Sequence, residues 1–186
     1  MDAVVLVEGA SDRVAVEALA RRRRWNLAEE GVSVVAIGGA TNIGHSLRRF
    51  GPAGLNVHLN GLCDEGEEGD FRRELERARM GTALTRSDME ALGFYVCVAD
   101  LEDELIRTLG ADVVESVIEA EGELSLLRTF QRQPWWLGRH REDQLRRFMG
   151  TRAGRKIHYA RALVEALDLD RVPRPLDLLL SHTLSR

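Results

Sequence analysis

Lysine is nearly absent from this chain. Of its 26 basic residues, 25 are arginine and one is lysine, Lys156. Guanidinium and ammonium groups differ in geometry, hydration and ease of losing a proton. If coding bias produced the arginines, the one position that kept lysine is a candidate for chemistry. Cysteine is scarce too. Cys63 and Cys97 each lie at the end of an apolar run, with no Cys-x-x-Cys spacing and no histidine cluster. That argues against a zinc centre and a disulfide framework. Both are expected to be buried free thiols in a reducing compartment. No apolar run is long enough to span a bilayer. No basic segment followed by an apolar stretch opens the chain, so no signal peptide is visible and a cytoplasmic location is expected. No Ser/His/Asp arrangement suggests a nucleophilic hydrolase. No tyrosine sits in a winged-helix context.

What is present suits one domain, or one domain with a helical appendage. The chain has 186 residues, 44% of them hydrophobic and 30% charged, with a net charge of -4. That composition supports a sizeable core. The chain is organised around Val4-Val5-Leu6-Val7-Glu8-Gly9-Ala10-Ser11-Asp12. The apolar, mostly β-branched residues predict a short buried strand. A glycine turn follows, with Ser11 expected as helix N-cap and Asp12 in the first helical turn. Glu8 then stands at the carboxyl end of a strand, where open parallel sheets bind ligands. Two carboxylates presented there suit a hard cation such as Mg²⁺. Taken alone, the stretch also admits a plainer reading, with Asp12 complementing the helix dipole and Glu8 bonding turn amides.

The pattern recurs along the chain. After a helix over residues 12–24, a second strand over 32–37 runs into Gly38-Gly39-Ala40-Thr41-Asn42, where a backbone could approach phosphate or substrate. A helix over 43–50 and a third strand over 55–62 lead into Cys63-Asp64-Glu65-Gly66-Glu67-Glu68-Gly69-Asp70. A helix over 71–79 follows. The fourth strand, over 94–99, ends at Asp100-Leu101-Glu102-Asp103-Glu104-Leu105. Each acid could be a cap or a first-turn residue. Carboxylates at three strand ends on one edge would repel one another unless a cation neutralises them. From residue 112 onward only helices are expected, over 112–121, 124–132, 142–149, 154–167 and 176–185. Charge changes sign there. Residues 100–123 hold nine acids and one Arg, and residues 128–161 hold ten Arg/Lys and two acids. A basic segment facing an acidic metal edge suits a phosphodiester. Arg146, Arg147, Arg152 and Arg155 are the expected nucleic-acid contacts. Pro134-Trp135-Trp136 lies in the same segment, and its rings either stack on bases or staple a helix to the core.

Glu8-Gly9 with Asp12, then Gly38-Gly39-Ala40-Thr41-Asn42, Asp64 and Asp100-Leu101-Glu102 together resemble the TOPRIM (topoisomerase–primase) domain. The variant is similar to the C-terminal TOPRIM domain of OLD-family (overcoming lysogenization defect) nucleases. The likeness covers about the first 105 residues, with a weaker echo at Gly154-Arg155-Lys156. It implies an α/β, TOPRIM-like Rossmannoid fold with a central, mainly parallel four-stranded sheet. Residues 1–110 would form the TOPRIM domain, and 111–186 a helical extension packed on it. It also implies a Mg²⁺-dependent site, with Mn²⁺ able to substitute, that cleaves phosphodiester bonds in DNA. Glu8, Asp12, Asp64, Asp100 and Glu102 match the metal-binding acids, and Glu8 and Lys156 match catalytic positions. Gly66 stands where the second acid of the Asp-x-Asp motif belongs, and Glu65 or Glu67 could replace it. No ATPase domain precedes the motif, so the chain reads as a stand-alone TOPRIM protein, with a separate ATPase subunit as a possible partner. The alternative is a non-catalytic module that binds nucleic acid or such an ATPase.

Overall fold

The computed structural model describes residues 2–152 and 154–185. The chain runs β1 (Ala3–Val7), α1 (Ala10–Arg22), β2 (Val32–Ala36), α2 (Ile43–Phe50), β3 (His58–Asp64), α3 (Glu68–Arg77), α4 (Arg86–Ala91) and β4 (Phe94–Cys97). Helices complete it: α5 (Leu101–Leu109), α6 (Ala111–Ala120), α7 (Leu124–Gln131), α8 (Arg141–Met149), α9 (Arg155–Ala166) and α10 (Arg174–Leu184). The strand order is β2-β1-β3-β4, and all three pairings are parallel.

The continuous apolar run of β1 follows from its place. It is an inner strand covered on both faces, so every residue in it is buried. Side chains alternate between those faces. Val4 and Leu6 enter one core with Ile43 and Leu47 of α2, Phe71 and Leu75 of α3, and Met89 of α4. Ala3, Val5 and Val7 enter the other with Leu19 of α1, Leu105 of α5, Leu163 of α9 and Leu179 of α10. The helices after residue 110 thus share this second core with the sheet: α9 packs along α1, and α10 lies against β3 and β4.

Three local expectations need correction. The third strand starts at His58, because residues 51–57 form a turn instead. Leu55 and Val57 donate their N–H groups back to Arg49 and Phe50 carbonyls, Asn56 adopts φ +50°, and Leu55 is left 59% exposed. The first helix is capped at Gly9, not at Ser11: Asp12, three residues on, accepts the Gly9 N–H at 2.8 Å. The short helix α4 was not expected. Thr85 caps it, exchanging bonds with Asp88, and the Thr-x-x-Asp spacing is the signal for it. Cys63 and Cys97 are buried free thiols, and burial pushes the pKa of both up. Among the described residues no helix is long and apolar enough to cross a membrane.

Candidate metal centre at the carboxyl edge of the sheet

Parallel pairing sends the ends of β1, β3 and β4 to one edge. Glu8 follows β1 directly, Asp64 ends β3, and Asp100 follows β4 as the N-cap of α5, where it accepts the Asp103 N–H at 2.8 Å. Asp12 and Glu102 lie in the first turns of the helices that leave the same edge. The Gly38-Gly39 turn holds this edge in place. Both amides donate to the Glu8 carbonyl, at 3.0 and 3.2 Å, and Asn42 braces the turn by donating to the Ile37 and Gly38 carbonyls. Gly38 and Gly39 have φ +74° and +110°, a region that disfavours any side chain.

The carboxylates act on one another. Burial, then the charges of Asp12, Glu8, Asp100 and Glu102, push the Asp64 pKa up to about 7. Glu8 is raised by burial, then by Glu67 and Asp12, with Lys156 opposing. Burial also dominates the upward shifts of Asp12 and Glu102. Among the described residues, two carboxylate oxygens are buried with no hydrogen-bond partner, Glu8 Oε2 and Glu102 Oε1. Buried carboxylate oxygens are ordinarily paired, because desolvating them unpaired is expensive.

Two cations face this cluster. Lys156 Nζ lies 3.1 Å from Glu102 Oε2. Burial alone would lower the pKa of Lys156, but Glu102, Asp12 and Asp100 outweigh it and hold the ammonium charged. Arg146 grips Asp100 Oδ2 through Nε at 2.7 Å and Nη2 at 2.6 Å. Of the two acids that could replace the missing motif residue, Glu65 is paired with Arg86 at 3.2 Å, while Glu67 bears on Glu8. Of the two, Glu67 is the one whose charge raises the pKa of Glu8. The acidic run contained too many acids for the sequence to choose among them.

The basic segment is disposed differently from the expectation. Much of its charge is matched by residues 100–123: Arg128 pairs with Glu115 at 2.5 Å, and Arg141 with Asp112 at 2.8 Å. Arg147 and Arg152 are exposed. Arg155 is no surface contact. It is 8% exposed, and its guanidinium donates to Glu123 at 2.8 Å and to Thr151 Oγ1 at 2.6 Å. Its Cζ lies 4.2 Å from the centroid of the Phe148 ring.

Among the described residues, no group of three or more His, Cys, Asp or Glu side chains stands ready as a metal cage. The donor set still fits a hard cation. It is oxygen-only, mutually repelling, and leaves two buried oxygens orphaned. Its charge balance is testable without a metal. Asp64 has a folded-state pKa of about 7 against an ordinary value of 3.8. The folded state thus holds this proton more tightly than the unfolded chain. The resulting stability is full below the ordinary value and is lost as pH rises through the folded one. In EDTA the melting temperature should fall between about pH 4 and about pH 7, and Asp64→Asn should flatten that fall. An unchanged slope in the variant would place the repulsion elsewhere.

The carboxyl edge of the parallel sheet thus carries Glu8, Asp64 and Asp100 beside the Gly38-Gly39 turn. Residues 1–64 match the family described as overcoming lysogenization defect protein-like, TOPRIM domain. The fold superposes on the C-terminal region of the Xanthomonas campestris pv. campestris OLD protein with TM-score 0.76 and 27% identity. That match covers 98% of this chain and 92% of the other. The C-terminal region of the Burkholderia pseudomallei OLD protein gives TM-score 0.75 at 22% identity, covering 98% and 97%, a likeness of fold. No curated protein matches. The OLD-type TOPRIM resemblance thus holds in sequence over the first third and in fold over nearly the whole chain.

Proposed function

We propose that this chain is a Mg²⁺-dependent nuclease acting on DNA, with Mn²⁺ as an alternative ion. The observation that carries the reading is the convergence of Glu8, Asp64 and Asp100 from separate strand ends into one group of coupled carboxylates. Glu8, Asp12, Asp64, Asp100 and Glu102 would hold the metal, with Glu67 beside them. Bound there, a divalent ion supplies charge for a phosphate and a hydroxide at neutral pH. The chain's own residues do the rest. Glu8 would hold the metal or act as general base toward the attacking water. Lys156 presents a fixed positive charge for the developing charge on phosphate. Arg147 and Arg152 remain as contacts to the DNA backbone.

A second reading has its own support. Arg146 and Lys156 already neutralise Asp100 and Glu102, and Gly66 stands at the second motif position. A module of that kind would bind nucleic acid, or a partner ATPase, without cutting. Incubating the protein with plasmid DNA and Mg²⁺ or Mn²⁺ separates the two. Nicked or linear product supports the enzyme; intact plasmid with retained binding supports the module.

Either reading predicts salt-sensitive DNA binding, through counterion release. Replacing Arg147 and Arg152 together by Ala should weaken binding and reduce the salt slope by roughly one per arginine removed. A slope unchanged in a titration from low to high salt would move the DNA path to another face.

A further inference from the structure

Beside the carboxylates lies a cavity of about 540 Å³, whose lining includes Asp100, Glu102, Trp136, Arg139, Arg147 and Lys156. Its volume falls within the range of about 300–1,000 Å³ typical of small-ligand sites. Trp136 is half-buried and is backed by Phe130, with ring centroids 5.1 Å apart. Arg139 lies 5.4 Å from the Trp136 ring and 4.8 Å from the ring of Trp135, and its Nε donates to the Trp135 carbonyl at 2.8 Å. Trp135 itself is 70% exposed. The loop carrying these groups is fixed from below: buried Gln144 donates to the Trp136 carbonyl at 2.8 Å and to the Arg139 carbonyl at 3.2 Å. The site is therefore preformed rather than a loose surface turn.

We infer that this cavity receives an unpaired nucleotide of single-stranded DNA, its base against Trp136 and the Arg139 guanidinium, and its phosphates toward Arg147 and Lys156. The inference rests on the nuclease reading only in setting this nucleotide beside the bond to be cut. Two features select the ligand. Arg139, Arg146, Arg147 and Lys156 outnumber the lining carboxylates Asp100, Glu102 and Asp143, which favours a polyanion. The aromatic wall adds binding only when a base face is free, and in a duplex those faces are stacked on their neighbours. A duplex would use the cations and leave the indole unused. A single strand or frayed end uses both.

The test is fluorescence anisotropy in EDTA with labelled oligothymidine and, separately, a labelled blunt hairpin duplex of equal charge. The parent should bind oligothymidine about 10-fold more tightly than the duplex, as a stacked base allows. Trp136→Leu should lose about that factor for oligothymidine and none for the duplex, with Trp136→Phe restoring most of it. Because Trp136 also packs on Phe130, Arg139→Ala gives a check that leaves the core intact, and it should weaken oligothymidine binding several-fold. Equal affinity of the parent for both probes, or a preference that survives both Trp136→Leu and Arg139→Ala, would overturn the inference. The nuclease reading fails independently: plasmid left intact in Mn²⁺ removes it, even if the Trp136-dependent preference for single strands stands. Conversely, plasmid cleavage without that preference keeps the nuclease and removes the cavity's proposed ligand.

Discussion

Glu8→Gln is expected to lower Mn²⁺-supported DNA cleavage by about 100-fold or more, since one metal-binding or proton-transfer role is commonly worth that much. The same change should leave the melting temperature unchanged or slightly higher. Gln keeps the size of the side chain and removes its charge. Glu8 sits at the end of a fully buried inner strand, with its carbonyl fixed by two amides of the Gly38-Gly39 turn, so the backbone should hold. Its charge is opposed by burial, Glu67 and Asp12. Removing it relieves repulsion instead of breaking a bond, since Oε2 has no hydrogen-bond partner. If Glu8 only bonded turn amides, the outcome would invert: a loss of roughly 1 kcal/mol of stability and cleavage at the parent rate. Melting curves and cleavage rates on one preparation separate the two.

Arg155→Ala should act on stability instead. Its side chain is 6% exposed and pairs with Glu123, which is 25% exposed. It also donates to Thr151 and lies over the Phe148 ring. Breaking a mostly buried pair from one side leaves the partner charge uncompensated and costs about 3 kcal/mol. For a chain of this size that lowers the melting temperature by about 6–12 °C. DNA affinity, measured at a temperature where the variant is folded, should be unchanged. A variant that melts like the parent but loses DNA affinity would return Arg155 to the nucleic-acid surface.

These two residues mark how far the sequence was legible. The parallel sheet could be read because its strands are short apolar runs bounded by turns. Once the strands are parallel, the residues after them must share an edge, which gives Glu8, Asp64 and Asp100 without further information. The scarcity of lysine singled out Lys156, and its ammonium does face Glu102. Arg155, one position earlier, points elsewhere because successive helical residues differ by about 100° in direction. Its place on the buried stripe with Tyr159 and Leu163 was the signal available. Pairings across long separations were not legible. Arg146 and Asp100 are 46 residues apart, and Arg128 and Glu115 come from different helices. No local pattern tells which arginines of a basic run remain free once the chain has folded.

Whether the convergent carboxylates form a metal centre can be read by anomalous diffraction from a crystal soaked in Mn²⁺. At least one strong Mn²⁺ peak is expected at the carboxyl edge of the sheet, coordinated by Glu8 together with Asp64 or Asp100, and lost in Glu8→Gln. A well-soaked crystal with no peak there, and with Arg146 and Lys156 still holding Asp100 and Glu102, would contradict the metal centre.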